Sequence, residues 1–154
     1  MIKAVIFDLD DTLYSEKEYV KSGYEAVANV VTNVENAGDK FWAAFKDGKA
    51  AIDYVLIQEG IYTDELKALC LNTYRNHKPD IRLYNGVAEL LNKLKEKGIK
   101  VGLITDGRPE GQRNKIQALG LEAIVDEIII TDELGGVQFR KPNDIAYRMM
   151  QCKM

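Results

Sequence analysis

Residues 2 to 7, Ile2-Lys3-Ala4-Val5-Ile6-Phe7, are a short β-branched apolar run that breaks off at Asp8, Asp10 and Asp11. Such a run reads as a strand buried on both faces, the kind found in parallel sheets. A parallel strand cannot be returned by a tight turn and needs a long crossover connection. Open sheets of this kind bind ligands outside the carboxyl ends of their strands. Two aspartates at i and i+2, set directly at such an end, constrain both the fold class and the place where its chemistry must lie.

The rest of the chain keeps to that plan. From Ser15 the apolar period becomes helical, with Val20, Tyr24, Val27, Val31 and Val34 on one stripe. Ser15 is suited to the N-cap, and Asn36-Ala37-Gly38 reads as the stop. Further helices are expected over 39–47, 49–59 and 63–77, the last capped by Thr63. Trp42, Phe41 and Phe45 read as packing residues, and His77 as a helix C-terminal residue beside the dipole. Pro79 breaks the pattern, and Val87, Leu90, Leu91 and Leu94 then mark a helix ending at Lys97-Gly98. Ile99 to Ile104 is a second strand, leading into Thr105-Asp106-Gly107. A helix over 110–118, a third strand from Ile124 to Ile130 and a closing helix over 142–151 complete an alternation of helix and strand. This is an α/β fold with a parallel sheet, split by a helical insert.

Composition excludes several functions. At 154 residues, 46% of them hydrophobic, the chain can bury one real core, or a core with an insert. With 21 Lys+Arg against 24 Asp+Glu there is no basic field to hold a polyanion, so no nucleic-acid partner is expected. No apolar run approaches the roughly 20 residues that span a bilayer, so no membrane partner is expected either. The N-terminus reaches Asp8 too soon for a signal peptide, and Cys70 and Cys152 form no disulfide framework, which points to the cytoplasm. A single histidine, His77, leaves no room for a His-rich zinc site or a Ser-His-Asp triad.

The strand ends carry the chemistry. The first delivers Asp8, Asp10, Asp11 and Thr12; the second delivers Thr105, Asp106 and Gly107; Arg140 and Lys141 precede the last helix. Neighbouring carboxylates in a low dielectric need a cation or a shared proton. A hard, oxygen-rich corner suits Mg²⁺, which takes one or two carboxylates with waters and a phosphate. The Thr105 hydroxyl and the backbone N–H groups of Asp106 and Gly107 are suited to phosphoryl oxygens, and Lys141 to neutralising them. The set matches phosphoryl transfer through a carboxylate nucleophile.

Phe7-Asp8-Leu9-Asp10-Asp11-Thr12-Leu13-Tyr14 closely resembles the first motif of the haloacid dehalogenase-like hydrolases. Leu103-Ile104-Thr105-Asp106-Gly107 resembles their second motif and Arg140-Lys141-Pro142 their third, in the same order. The resemblance implies a three-layer Rossmann-like parallel core, residues 1–14 and 81–154, and an all-helical cap over 15–80. Such caps close over the site and select the substrate. It further implies Asp8 as nucleophile, and Asp10 as the acid that protonates the leaving oxygen and then the base that activates water. Thr12 would support the motif. Thr105, Asp106, Gly107 and Lys141 would bind the phosphoryl group, and the Asp8 carboxylate with the Asp10 backbone carbonyl would hold Mg²⁺. A carbon–halogen bond needs no leaving-group protonation, and the dehalogenase branch lacks the second aspartate. The implied activity is therefore Mg²⁺-dependent hydrolysis of small phosphorylated metabolites through an aspartyl-phosphate. Arg108 and Gln112 read as exposed helix-start residues rather than substrate contacts.

The chain departs from the family pattern twice. It reads Lys141-Pro142-Asn143-Asp144 where Lys-Pro-x-Pro is usual, although Asp144 can still open a helix. The fourth motif, an acidic pair at the end of another core strand, has no counterpart, since only a helix from Ile145 to Cys152 fits after Lys141. The expectation is a core incomplete at its C-terminus, halted one strand short of its metal site. Its first strand would then be an edge, covered by a homodimer or a strand-swapped assembly. The alternatives are an inactive fragment or pseudoenzyme that acts as a binding or assembly module, and a receiver-type phosphoacceptor. The long helical insert after the first strand speaks against the receiver.

Overall fold

The computed structural model describes all 154 residues, Met1–Met154. In chain order the elements are β1 (Ala4–Phe7), α1 (Glu16–Ala28), α2 (Ala37–Lys46), α3 (Ala51–Gln58), α4 (Asp64–Asn76), α5 (Val87–Glu96), β2 (Lys100–Thr105), α6 (Pro109–Ala118), β3 (Glu127–Ile130) and α7 (Ile145–Lys153), with short 3-10 turns on either side of β3. They form two compact units. One joins Met1–Glu16 to Asp80–Met154, and the other is Lys17–Pro79.

The first unit holds the sheet. Its order is β1-β2-β3 and both pairings are parallel. Phe7 lies opposite Leu103 and Thr105 opposite Ile130, so the three carboxyl ends open on one edge. β2 is the central strand, and Val101 to Thr105 are all buried. On one face Ile104 and Ile129 meet Ala146 and Met150 of α7. Gly102 makes that approach possible, because a Cβ there would sit 3.0 Å from Met150 Sδ. Val101, Leu103 and Thr105 alternate to the opposite face, and α5 also packs against β2.

The second unit is helical. Tyr24, Val27, Phe41, Leu56 and Cys70 are its core. Tyr24 stacks on Phe41 and Trp42 on Phe45, so the aromatic residues pack against each other as the sequence suggests. Thr63 caps α4, its hydroxyl accepting from Leu66 N at 3.0 Å. His77 is the C-cap of the same helix, packed on Tyr19, with Nδ1 2.6 Å from Tyr74 O. No helix is long and apolar enough to cross a membrane.

The local expectations need four corrections. β1 is not buried on both faces; Ala4 is exposed and Val5, Ile6 and Phe7 are half-buried. It is an edge strand, and α7 packs on β2 and β3 instead. The stripe ending in Val31 and Val34 is not one helix, because α1 stops at Ala28 and consecutive turns carry the chain to α2. Both valines are buried all the same, since turns can deliver a side chain inward as helices do. Gly38 stops nothing; it lies inside α2, which starts after the left-handed Asn36. Ile124 and Val125 precede β3, because their N–H groups close a turn onto Leu121 O.

Candidate active site

β1 ends at Phe7, and the chain turns sharply soon after Asp8. The amides of Thr12 and Leu13 both donate to Leu9 O, and Asp11 takes a left-handed φ of 53° that aspartate tolerates. The Asp11 carboxylate then accepts the first amide of α1, from Glu16, at 2.9 Å. Thr12 is exposed, and its backbone amide serves this turn. Short bridges from Tyr14 to Asp10 and to Leu83 fix the far side.

Asp8 and Asp10 each have a lysine. Lys141 Nζ donates to Asp8 Oδ1 at 2.6 Å and lies 3.3 Å from Ile104 O. Lys115 Nζ donates to Asp10 Oδ1 at 2.8 Å. Each of the two carboxylates thus has an ammonium partner of its own. The pairs differ in burial. Side-chain exposure is 44% for Asp8 and 24% for Lys141, against 23% for Asp10 and 6% for Lys115. The nucleophile candidate faces water, and the acid/base candidate is enclosed.

The enclosure of Asp10 comes from three sides. Tyr14 Oη and Lys115 Nζ donate to Oδ1, and Gln112 Nε2 donates to Oδ2 at 2.9 Å. Burial by itself pushes this carboxyl up. The charge of Lys115 and the hydrogen bonds from Lys115, Tyr14 and Gln112 outweigh it and hold the group below its usual value. Glu16 moves the other way, raised by burial and by repulsion from Asp10, which exceed the pull of Lys115.

Thr105, at the end of β2, is fully buried, and its Oγ1 accepts from Gln112 Nε2 at 2.6 Å. Asp106 ties the strand ends together, its Oδ1 accepting from Thr131 Oγ1 at 2.7 Å and from Lys141 N at 3.2 Å. That brace sets the backbone from which Lys141 reaches Asp8. Gly107 has φ 134°, open only to glycine, and a Cβ there would lie 3.2 Å from Gln112 Cγ. Its amide also helps to hold the Asp132 carboxyl below its ordinary value. Asp132 is held below its ordinary value by Arg140, which grips it with two 2.7 Å hydrogen bonds against a small burial penalty.

The strand ends thus carry two bonded groups, Asp8 with Lys141 and Asp106, and Asp10 with Thr105 through Gln112, while Thr12 makes no side-chain bond to either. Gln112 is not an exposed helix-start residue; it is 3% exposed and bridges Asp10 to Thr105. Lys115 and Tyr14 are further members that the residue-by-residue reading passes over. The signal lies in α6: the apolar stripe of Ile116 and Leu119, projected back one turn, lands on Gln112 and Lys115. Arg108, by contrast, is exposed at the N-cap of that helix.

The donors fit a hard cation. Asp8 offers a carboxylate half open to water and Asp10 a backbone carbonyl at the same turn, a donor set that would suit Mg²⁺ with waters and phosphate. No group of three or more His, Cys, Asp or Glu side chains converges into a cage.

A parallel α/β core that gathers two aspartates, two lysines and a threonine at one strand edge defines a class of hydrolase built around a carboxylate and a cationic clamp. The chain belongs to the haloacid dehalogenase-like hydrolase family, whose model matches residues 5–152. It is 34% identical over 147 residues to a glyceraldehyde 3-phosphate phosphatase of Methanocaldococcus jannaschii, covering 88% of this chain and 64% of the relative. It is 31% identical over 169 residues to the enzyme of the same name from Methanothermobacter thermautotrophicus, covering 99% and 74%. The chain therefore spans roughly two thirds to three quarters of these curated relatives. Among solved structures it is similar to the HAD-hydrolase YfnB of Bacillus subtilis, determined bound to magnesium. The TM-score is 0.58 at 17% identity, covering 88% of this chain and 66% of the other, a likeness of fold.

Proposed function

We propose that this chain carries the machinery of a Mg²⁺-dependent phosphatase that acts on small phosphorylated metabolites through an aspartyl-phosphate on Asp8. The observation that carries the reading is the pairing of Asp8 with Lys141 at 2.6 Å on an open strand edge, next to an enclosed Asp10. An Asp8 oxygen would attack phosphorus as the ester P–O bond breaks, and Asp10, protonated from solvent as substrate binds, would give that proton to the departing oxygen. Asp10 would then take a proton from water, which attacks phosphorus and releases phosphate and the Asp8 carboxylate. Lys141 would neutralise the phosphoryl oxygens. Mg²⁺, held by the Asp8 carboxylate and the Asp10 carbonyl, would add Lewis-acid stabilisation of the same charge.

The relatives' names make a three-carbon phosphate ester such as glyceraldehyde 3-phosphate the first substrate to try. The test is release of inorganic phosphate with Mg²⁺, in the chain and in Asp8→Asn. Loss of release in Asp8→Asn supports the reading, and equal rates overturn it.

A second reading, a binding or assembly module, is favoured by the position of β1 at the sheet edge with half-exposed side chains. Unpaired N–H and C=O groups along such an edge are a template for a second copy. Light scattering that finds a dimer with protected β1 amides supports this pairing; a monomer with fast-exchanging β1 amides refutes it.

A further inference from the structure

We infer that Thr131, Asp132 and Arg140 are positioning residues for Lys141, and that the turn after β3 fixes the backbone from which this lysine reaches Asp8. That Lys141 then serves phosphoryl transfer rests on the phosphatase reading above. Three observations carry the inference. Arg140, next to Lys141 in the chain, grips Asp132 through two 2.7 Å hydrogen bonds, from Nε to Oδ1 and from Nη2 to Oδ2. The Asp132 side chain is only 11% exposed against 40% for Arg140, so the acid is the fixed end of this fork and the arginine is brought to it. Thr131, beside Asp132, is fully buried, and its Oγ1 donates at 2.7 Å to Asp106 Oδ1, the same oxygen that accepts Lys141 N at 3.2 Å.

Two neighbouring residues of one turn thus hold two neighbouring residues of the segment before α7. One pair is joined through an arginine side chain, the other through Asp106 to a main-chain amide. A lysine ammonium is a point charge on a flexible four-carbon stem, so its placement depends on where that stem begins. Lys141 Nζ meets Asp8 Oδ1 at 2.6 Å and Ile104 O at 3.3 Å, one contact just past β1 and one in β2. Releasing the stem's origin lets the ammonium leave that place without any change in its charge. A misplacement of about 1 Å can cost about a hundred-fold in rate. The clamp should therefore act on rate only through Lys141, whereas a merely structural contact should slow the protein whether or not Lys141 is present.

The experiment compares wild type, Thr131→Val, Arg140→Met and Thr131→Ser, with Asp8→Asn as the blank, by two readouts. The first is carbodiimide cross-linking, in which a carboxylate and an amine in contact join as an amide and the reagent takes up the water; peptide mass spectrometry scores it. The Asp8–Lys141 cross-link should fall several-fold in Thr131→Val and Arg140→Met and return in Thr131→Ser, which keeps the hydroxyl. The Lys40–Glu59 cross-link, a pair also 2.6 Å apart, should stay constant. The second readout is Mg²⁺-dependent phosphate release from p-nitrophenyl phosphate, with and without Lys141→Met. Thr131→Val and Arg140→Met should each slow release about ten-fold when Lys141 is present and have no effect in Lys141→Met. Where Lys141→Met releases nothing measurable, the return of rate in Thr131→Ser takes the place of that comparison. Melting curves identify a variant that fails to fold, and the other then carries the test. A cross-link unchanged in the folded variants, or an equal loss of rate with and without Lys141, overturns the inference alone. Release absent from wild type, or equal in Asp8→Asn, removes the phosphatase reading, and the cross-link by itself then decides what places Lys141.

Discussion

Replacing Lys115 by methionine tests whether the buried ion pair exists as described. Lys115 Nζ lies 2.8 Å from Asp10 Oδ1, with the side chains 6% and 23% exposed. At an effective dielectric of about 20, charges this close attract by about 6 kcal/mol before desolvation is counted. Removing one partner of a fully buried pair costs about 3–5 kcal/mol, because the other charge is left uncompensated. Asp10 retains some water and the bonds from Tyr14 and Gln112, which lowers the expected cost to about 2–3 kcal/mol at pH 7. At this chain length that is a fall in melting temperature of about 5–10 °C.

The pH dependence has a definite sign. Asp10 is held below its ordinary value of 3.8, so its contribution is complete above that pH and lost as pH falls through the lower folded value. In Lys115→Met only the bonds from Tyr14 and Gln112 oppose the burial penalty, so the variant gains less stability than wild type as pH rises past 3.8. The gap between the two proteins should be widest near neutrality and close in acid. Urea unfolding at several pH values measures it, with Asp10→Asn and the double variant completing a cycle. If Lys115→Met costs as much in Asp10→Asn as in wild type, the two side chains are not coupled and the reasoning fails.

Three other outcomes are expected. Lys141→Met should lower phosphate release about 10²–10³-fold while leaving the melting temperature within a few degrees, since its pair with Asp8 is partly exposed; steady-state kinetics beside calorimetry check both. Gly107→Ala should cost about 1–3 kcal/mol, because φ 134° is strained for alanine and the added Cβ would press on Gln112, and denaturant unfolding reads this. Met150→Ala should cost about 2–5 kcal/mol by opening a cavity between α7 and the fully buried side of β2 and β3, seen as a lower urea midpoint with an unchanged slope.

The strand-end residues were legible because chemistry and backbone coincide there. A β-branched run ending in Asp8-x-Asp10 places its acids at a sheet edge whatever the remaining sequence does. Thr105 and Lys141 follow from the same rule, one at the end of a strand and one beside the loop before a helix. What failed is instructive. Gln112 and Lys115 are polar, and a pattern-based reading sends polar helix residues to solvent. Only the partner across space, a carboxylate about 100 positions earlier in the chain, makes their burial favourable.

By itself the sequence determined the α/β class, the helical insert after the first strand, and the acids, threonine and lysine at the strand ends. Each depends on local period or on a residue's place at the end of its own element. Tertiary structure alone decided that each aspartate has its own lysine. It also decided that Asp10, rather than Asp8, is the enclosed carboxylate. These are matters of distance and dielectric between residues remote in the chain, and no local pattern encodes them.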